Sequence, residues 1–198
     1  MRTRHFTLGI AFLLLTGAVV AAEAKTLRTH CKGGGTFTDG VETNIDTNGD
    51  GASARVDQGA DVCNIGSFVF QEETEWIPRP VTSACPAGTT DEFYIDATHG
   101  QHSGVGTNEE TGDQLFGKNT SATLCLNSST GTFTISGQSV TIGGTGKYAS
   151  ATGTGSFQSV GSYLAAGFKA GVFGGFGQFT FTSDGTLTLP NGGHGKDD

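Results

Sequence analysis

The stretch Thr132-Phe133-Thr134-Ile135-Ser136-Gly137-Gln138-Ser139-Val140-Thr141-Ile142 alternates apolar and hydroxylated residues on either side of Gly137-Gln138. Alternation of this kind marks a half-buried β-strand, because successive side chains of a strand point to opposite faces. Glycine at the first central position suits a two-residue type II′ turn. The resulting hairpin sets Ile135 opposite Val140 and Phe133 opposite Ile142, so that all the apolar side chains share one face. A second pair lies further along, where Phe179 and Phe181 precede Leu187 and Leu189. A two-residue turn at Asp184-Gly185 throws the leucines onto the wrong face. A three-residue loop, Ser183-Asp184-Gly185, pairs Phe181 with Leu187 and Phe179 with Leu189, with Gly185 in the left-handed position of a bulged hairpin.

Composition agrees with an all-β reading. Glycine accounts for 33 of 198 residues, and only 15% are charged. Glycine at that level starves long helices, which excludes a helical bundle. The net charge of −8 argues against a generic nucleic-acid binder, since phosphate is repelled. Further strands are predicted over 27–38, 62–73, 91–98, 114–127 and 153–159. Residues 76–90 read as an excursion, because prolines do not serve a central ladder. Residues 161–177 leave strand, loop or one helical turn open.

The segment Gly143-Gly144-Thr145-Gly146-Lys147-Tyr148-Ala149-Ser150-Ala151-Thr152-Gly153 joins two predicted strands. A phosphate loop is excluded, since Thr141 stands where its first glycine belongs and Tyr148 follows Lys147 in place of Ser or Thr. The segment resembles the G-G-T-G-[KR]-[FY]-x-[GS]-A-x-G stretch of the allene oxide cyclase and dirigent superfamily. Gly131-Thr132-Phe133-Thr134-Ile135 and Gly177-Gln178-Phe179-Thr180-Phe181 look like that family's last strands, so the likeness spans roughly residues 90–189. It implies a single antiparallel eight-stranded β-barrel of calycin type, with a bulged corner at the glycines and a lumen able to hold one small apolar molecule. In the plant members that lumen cyclises an allene oxide or steers the coupling of phenol radicals. Their polar lumen residues have no counterpart in the matched motif, so no catalytic residue is carried over. Dirigent proteins form trimers, which makes an oligomer an open expectation.

Arg2 and Arg4 precede an apolar run that ends in Ala22-Glu23-Ala24. This is the pattern of a cleaved signal peptide over residues 1–24, leaving a barrel domain at 25–189 and a disordered tail at 190–198. The chain is therefore expected to be secreted, extracellular or periplasmic, with no membrane association after cleavage. Cys31, Cys63, Cys85 and Cys125 are even in number and read as two disulfides, with three pairings open.

Asp46-Thr47-Asn48-Gly49-Asp50-Gly51 followed by Asp57 fits a calcium loop, in which Asp46, Asn48, Asp50 and Asp57 supply oxygens. An Asx-rich turn without metal fits the same residues, and no cofactor is otherwise required. His99 and His102 with Asp96 suggest a metal or base cluster, against exposed loop histidines. Glu72, Glu73 and Glu75 beside Trp76 suggest acid catalysts, against a solvated strand end. Asn119-Thr120-Ser121 and Asn127-Ser128-Ser129 are glycosylation sequons in a eukaryotic host. Neither a nucleophile elbow nor a dinucleotide fingerprint occurs.

Three functions follow from these readings. The first is the binding of a small hydrophobic ligand in the lumen. The second is a cyclase, isomerase or dirigent-type protein that acts by confinement, and the third is an extracellular structural or adhesion module. An open lumen with inward carboxylates or tyrosines favours the enzyme over the carrier.

Overall fold

Thr, Ser and Gln outward with Phe, Ile and Leu inward is the pattern that builds this molecule. In Thr132–Gly144, Phe133 and Ile135 are buried between exposed Thr132, Thr134 and Ser136. The computed structural model describes residues 24–39, 53–164 and 175–190. Nine strands form among these residues: β1 Lys25–Asp39, β2 Ser53–Cys63, β3 Gly66–Arg79, β4 Asp91–Ile95, β5 Gln101–Asn108, β6 Gln114–Asn127, β7 Thr132–Gly144, β8 Thr152–Tyr163 and β9 Gly175–Leu189.

All are paired antiparallel in one sheet, in the order β2-β1-β9-β8-β7-β6-β4-β3-β5, and further pairings β2–β3 and β5–β6 close it. The short strands β4 and β5 together occupy one position. β3 pairs with β5 over Phe68–Glu75 and with β4 over Ile77–Arg79, while β6 meets β5 near Gly117 and β4 near Leu124. The sheet is thus a closed ring of eight strands, one of them interrupted by the turn at Asp96–Gly100. Closure leaves no long unpaired edge among the described strands.

Both predicted hairpins are absent. β7 and β9 run straight through Gly137-Gln138 and Ser183-Asp184-Gly185. Gly137 pairs with Ala122 on one side and Phe157 on the other, and ladder bonds to two neighbours displace the local turn. A Cβ at Gly137 would sit 2.7 Å from the Phe157 ring, so this glycine serves packing rather than a turn. The continuous strand puts Val140 and Ile142 on the face opposite Phe133 and Ile135, and Ile142 is 58% exposed. In β9 the parity is unbroken, and Phe179, Phe181, Leu187 and Leu189 share a face without any loop.

The run 62–73 is also divided, by a two-residue turn at Asn64-Ile65 between the paired Cys63 and Gly66. Asn64 docks that turn on β1, accepting the His30 amide (3.0 Å) and donating to the Arg28 carbonyl (2.9 Å). The 114–127 strand is observed with those bounds. The excursion begins later than expected, since β3 carries Pro78 opposite Phe93 and ends at Arg79.

The cysteines pair Cys31–Cys63 and Cys85–Cys125. The first joins directly opposed positions of β1 and β2. The second ties the excursion to β6. At Gly143–Gly153 the chain makes a bulged corner. The β6–β7 register slips between Phe116 and Gly117, Gly143 and Gly146 have φ of +139° and +53°, and a short 3-10 turn Gly146–Tyr148 leads to buried Ala151. Residues 1–23, the proposed tail beyond Pro190, and 165–174 lie outside the described residues, as do Asp46, Asn48 and Asp50.

Two apolar clusters fill the ring. One gathers Phe37, Trp76, Phe93, Leu124, Phe133 and Phe179, while the other gathers Phe68, Tyr148, Ala151 and Leu187.

Candidate functional site

Between the two clusters lies a cavity of about 280 Å³. Alternation places Arg55, Asp57 and Asp61 of β2 on its wall, with Phe70, Glu72, Thr74 and Trp76 of β3 beside them. His102 of β5 and Phe179 and Phe181 of β9 complete this side. The space exists because Gly104, Gly106, Gly117 and Gly155 also face it without side chains. Unlike a packed core, it is bounded by ionisable groups.

Arg55 is the electrostatic centre. Its Nε and Nη2 both donate to Asp57 Oδ1, at 2.8 and 2.7 Å. Its Cζ lies 3.8 Å from the Phe37 ring centroid and 4.9 Å from that of Phe133. Aromatic faces suit a desolvated guanidinium, and the carboxylate offsets its charge. Burial pushes the Asp57 carboxyl up, against the opposing charge and hydrogen bonds of Arg55. Nearby, Asp39 Oδ2 accepts a hydrogen bond from the Tyr163 hydroxyl. Burial raises Asp39 from 3.8 to about 6, again opposed by Arg55 and by the Tyr163 bond. Burial, and after it the Asp39 charge, raises the Tyr163 phenol.

His102 Nδ1 accepts the Asn119 amide at 3.0 Å, which assigns the ring proton to Nε2. Nε2 faces Glu72 Oε2 at 3.5 Å, and the His102 side chain is only 5% exposed. Glu72 lies directly across the strand pair from Asp57. Asp61 is raised from 3.8 to about 6 by burial and, after it, by the Glu72 charge. On the wall, Asp61 is therefore a carboxylate whose pKa, about 6, suits it to accept a proton near neutral pH.

The sequence-predicted residues fare differently. Asp57 and Glu72 line the cavity with Trp76, whereas Glu73 is exposed and Glu75, though buried, does not line it. His99 stays on the exposed Asp96 turn, its Nδ1 3.1 Å from Asp96 Oδ1, so the two histidines do not meet. Asp57, of the expected calcium set, is engaged by Arg55 within β2, and its three companions lie outside the described residues. Asn127 Oδ1 accepts the Ser129 amide within its turn.

Sequence reasoning missed Arg55, Asp39, Asp61 and Tyr163. Their only local signal is shared parity with inward residues of their strands. Compared with known proteins, the chain matches no family model, no curated protein and no solved structure.

Proposed function

We propose that this chain is an exported β-barrel protein of the allene oxide cyclase and dirigent kind that binds a small, largely apolar molecule inside the barrel. The observation that carries this reading is the cavity, whose walls combine Phe70, Phe179, Phe181 and Trp76 with glycines and a few ionisable groups. Its volume, about 280 Å³, is close to the lower end of small-molecule sites, roughly 300 Å³, and suits one ring with a short substituent. The bulged corner at Gly143 and Gly146 supports the family reading, and two disulfides support an oxidising compartment.

The test is calorimetric titration with a panel of phenols and oxidised fatty acids, with Gly106→Leu as control. A Cβ at Gly106 meets Phe68 at 3.6 Å, an ordinary contact, so the larger side chain fills the cavity while the fold stands. Binding that disappears in Gly106→Leu is the expected result. A panel without a single binder overturns the reading.

The inward carboxylates Asp57, Asp61 and Glu72, with His102 beside Glu72, favour an enzyme over a simple carrier, namely an isomerase or cyclase that works by confinement. A base and an oriented imidazole on the wall suit proton transfer within a held ligand. Such an enzyme would exchange a carbon-bound proton of a bound ketone into deuterated water. Glu72→Gln would stop that exchange while binding persists.

A further inference from the structure

Asp61 is a cavity-lining carboxylate set against two aromatic rings. It shares the inward parity of Arg55 and Asp57, whereas its neighbours Ala60 and Val62 are exposed on the outer face. Opposite it on β1 stands Gly33, and two residues before it on β2 stands Gly59. A Cβ at Gly33 would lie 2.6 Å from Asp61 Cβ and 2.8 Å from Phe181 Cε1, so carboxylate arm and ring meet over that glycine. A Cβ at Gly59 would lie 2.7 Å from Phe70 Cζ, which puts the second ring beside them. The two rings pack edge to face, 5.6 Å between centroids.

This carboxylate lacks a cation. Asp61 Oδ1 lies 3.7 Å from Cys63 Sγ, which carries no proton in the disulfide, and no described residue donates to it. Of the cations bordering the cavity, Arg55 is bonded twice to Asp57 and Lys118 is exposed. Glu72, on the same inward face of β3, adds negative charge that reaches Asp61.

Resting on the reading of the cavity as a ligand site, we infer that the ligand is a small aryl-alkyl amine, its primary ammonium received by Asp61 against the rings of Phe70 and Phe181. An ammonium brings three donors and no acceptor, and a carboxylate takes its hydrogen bond with charge assistance. Aromatic faces attract the same cation. An anionic ligand would meet charge of its own sign.

Calorimetric titration at physiological ionic strength with 2-phenylethylamine, propylbenzene and 3-phenylpropionate tests this, since the three share one body and end in ammonium, methyl or carboxylate. The amine should bind at least about tenfold more tightly than propylbenzene, and the carboxylate most weakly. Asp61→Asn should weaken the amine about tenfold and leave propylbenzene within about twofold, which shows that the variant keeps its cavity. Gly106→Leu should abolish amine binding. Amine affinity no greater than that of propylbenzene overturns the inference and leaves the cavity reading standing. So does equal loss of both probes in Asp61→Asn, or an amine affinity that this variant leaves unchanged. Amine binding that persists in Gly106→Leu is attraction to the acidic surface, and it too overturns the inference. Failure of all three probes overturns it together with the cavity reading.

Discussion

Arg55 and Asp57, two residues apart on one face of β2, are joined by two hydrogen bonds to a single carboxylate oxygen, and Arg55 is 1% exposed. The period of the strand makes this contact possible, because residues i and i+2 point the same way. Removing one partner leaves the other charged and buried. Arg55→Met is therefore expected to destabilise the fold by about 3–5 kcal/mol, read from urea unfolding. Adding Asp57→Leu should recover much of that loss, because the stranded charge is gone. Additive losses in the double variant would show that the pair is not coupled.

Asp39 sets a pH dependence. Its folded pKa, about 6, lies above the ordinary 3.8. Below about pH 4 the carboxyl is protonated in both states. Between those values the folded state alone holds the proton, so stability falls as pH rises through 6. The size is about 2–3 kcal/mol for a shift of this extent. Denaturant midpoints between pH 4 and 7 should show the fall, and Asp39→Asn should reduce it, leaving the share of Asp61, which is also raised to about 6.

Glu92 acts in the opposite direction. It receives Arg79 Nε at 2.7 Å, the Thr82 amide at 2.5 Å and the Thr82 hydroxyl at 3.0 Å, and its side chain is fully buried. Burial alone would raise its pKa, yet these bonds outweigh burial and hold it below its ordinary value. Its contribution is present above that ordinary value and is lost as pH falls through the lowered one. Glu92→Gln should cost about 1.5–3 kcal/mol at neutral pH. It should also speed amide exchange at Thr82, which a purely global loss of stability would not single out.

The Cys85–Cys125 bridge closes a separation of 40 residues and pins the excursion that Glu92 also holds. Replacing both cysteines with alanine should lower stability by about 2–4 kcal/mol, in line with loop closure in the unfolded chain. The Cys31–Cys63 pair, separated by 32 residues, should cost a similar amount. Equilibrium unfolding of each double variant measures both.

Sequence alone determined the class of structure here. Alternation in Phe133-Thr134-Ile135 and Phe179-Thr180-Phe181, abundant glycine and an even cysteine count pointed to disulfide-bearing antiparallel strands, and these are present. Alternation is local, so one strand's residues suffice to read it. Tertiary structure decided where strands end and what faces inward. Gly137-Gln138 has the composition of a turn, but partners on both sides of β7 keep the strand running. Which cysteine meets which depended on strand pairing and register, which bring Cys31 of β1 opposite Cys63 of β2. The cavity was the least legible part. Arg55 and Asp61 look like ordinary surface polar residues in sequence, because a strand records parity but not which face the ring encloses. Closing the sheet made one parity interior, and the glycines of β5, β6 and β8 left the space those side chains now surround.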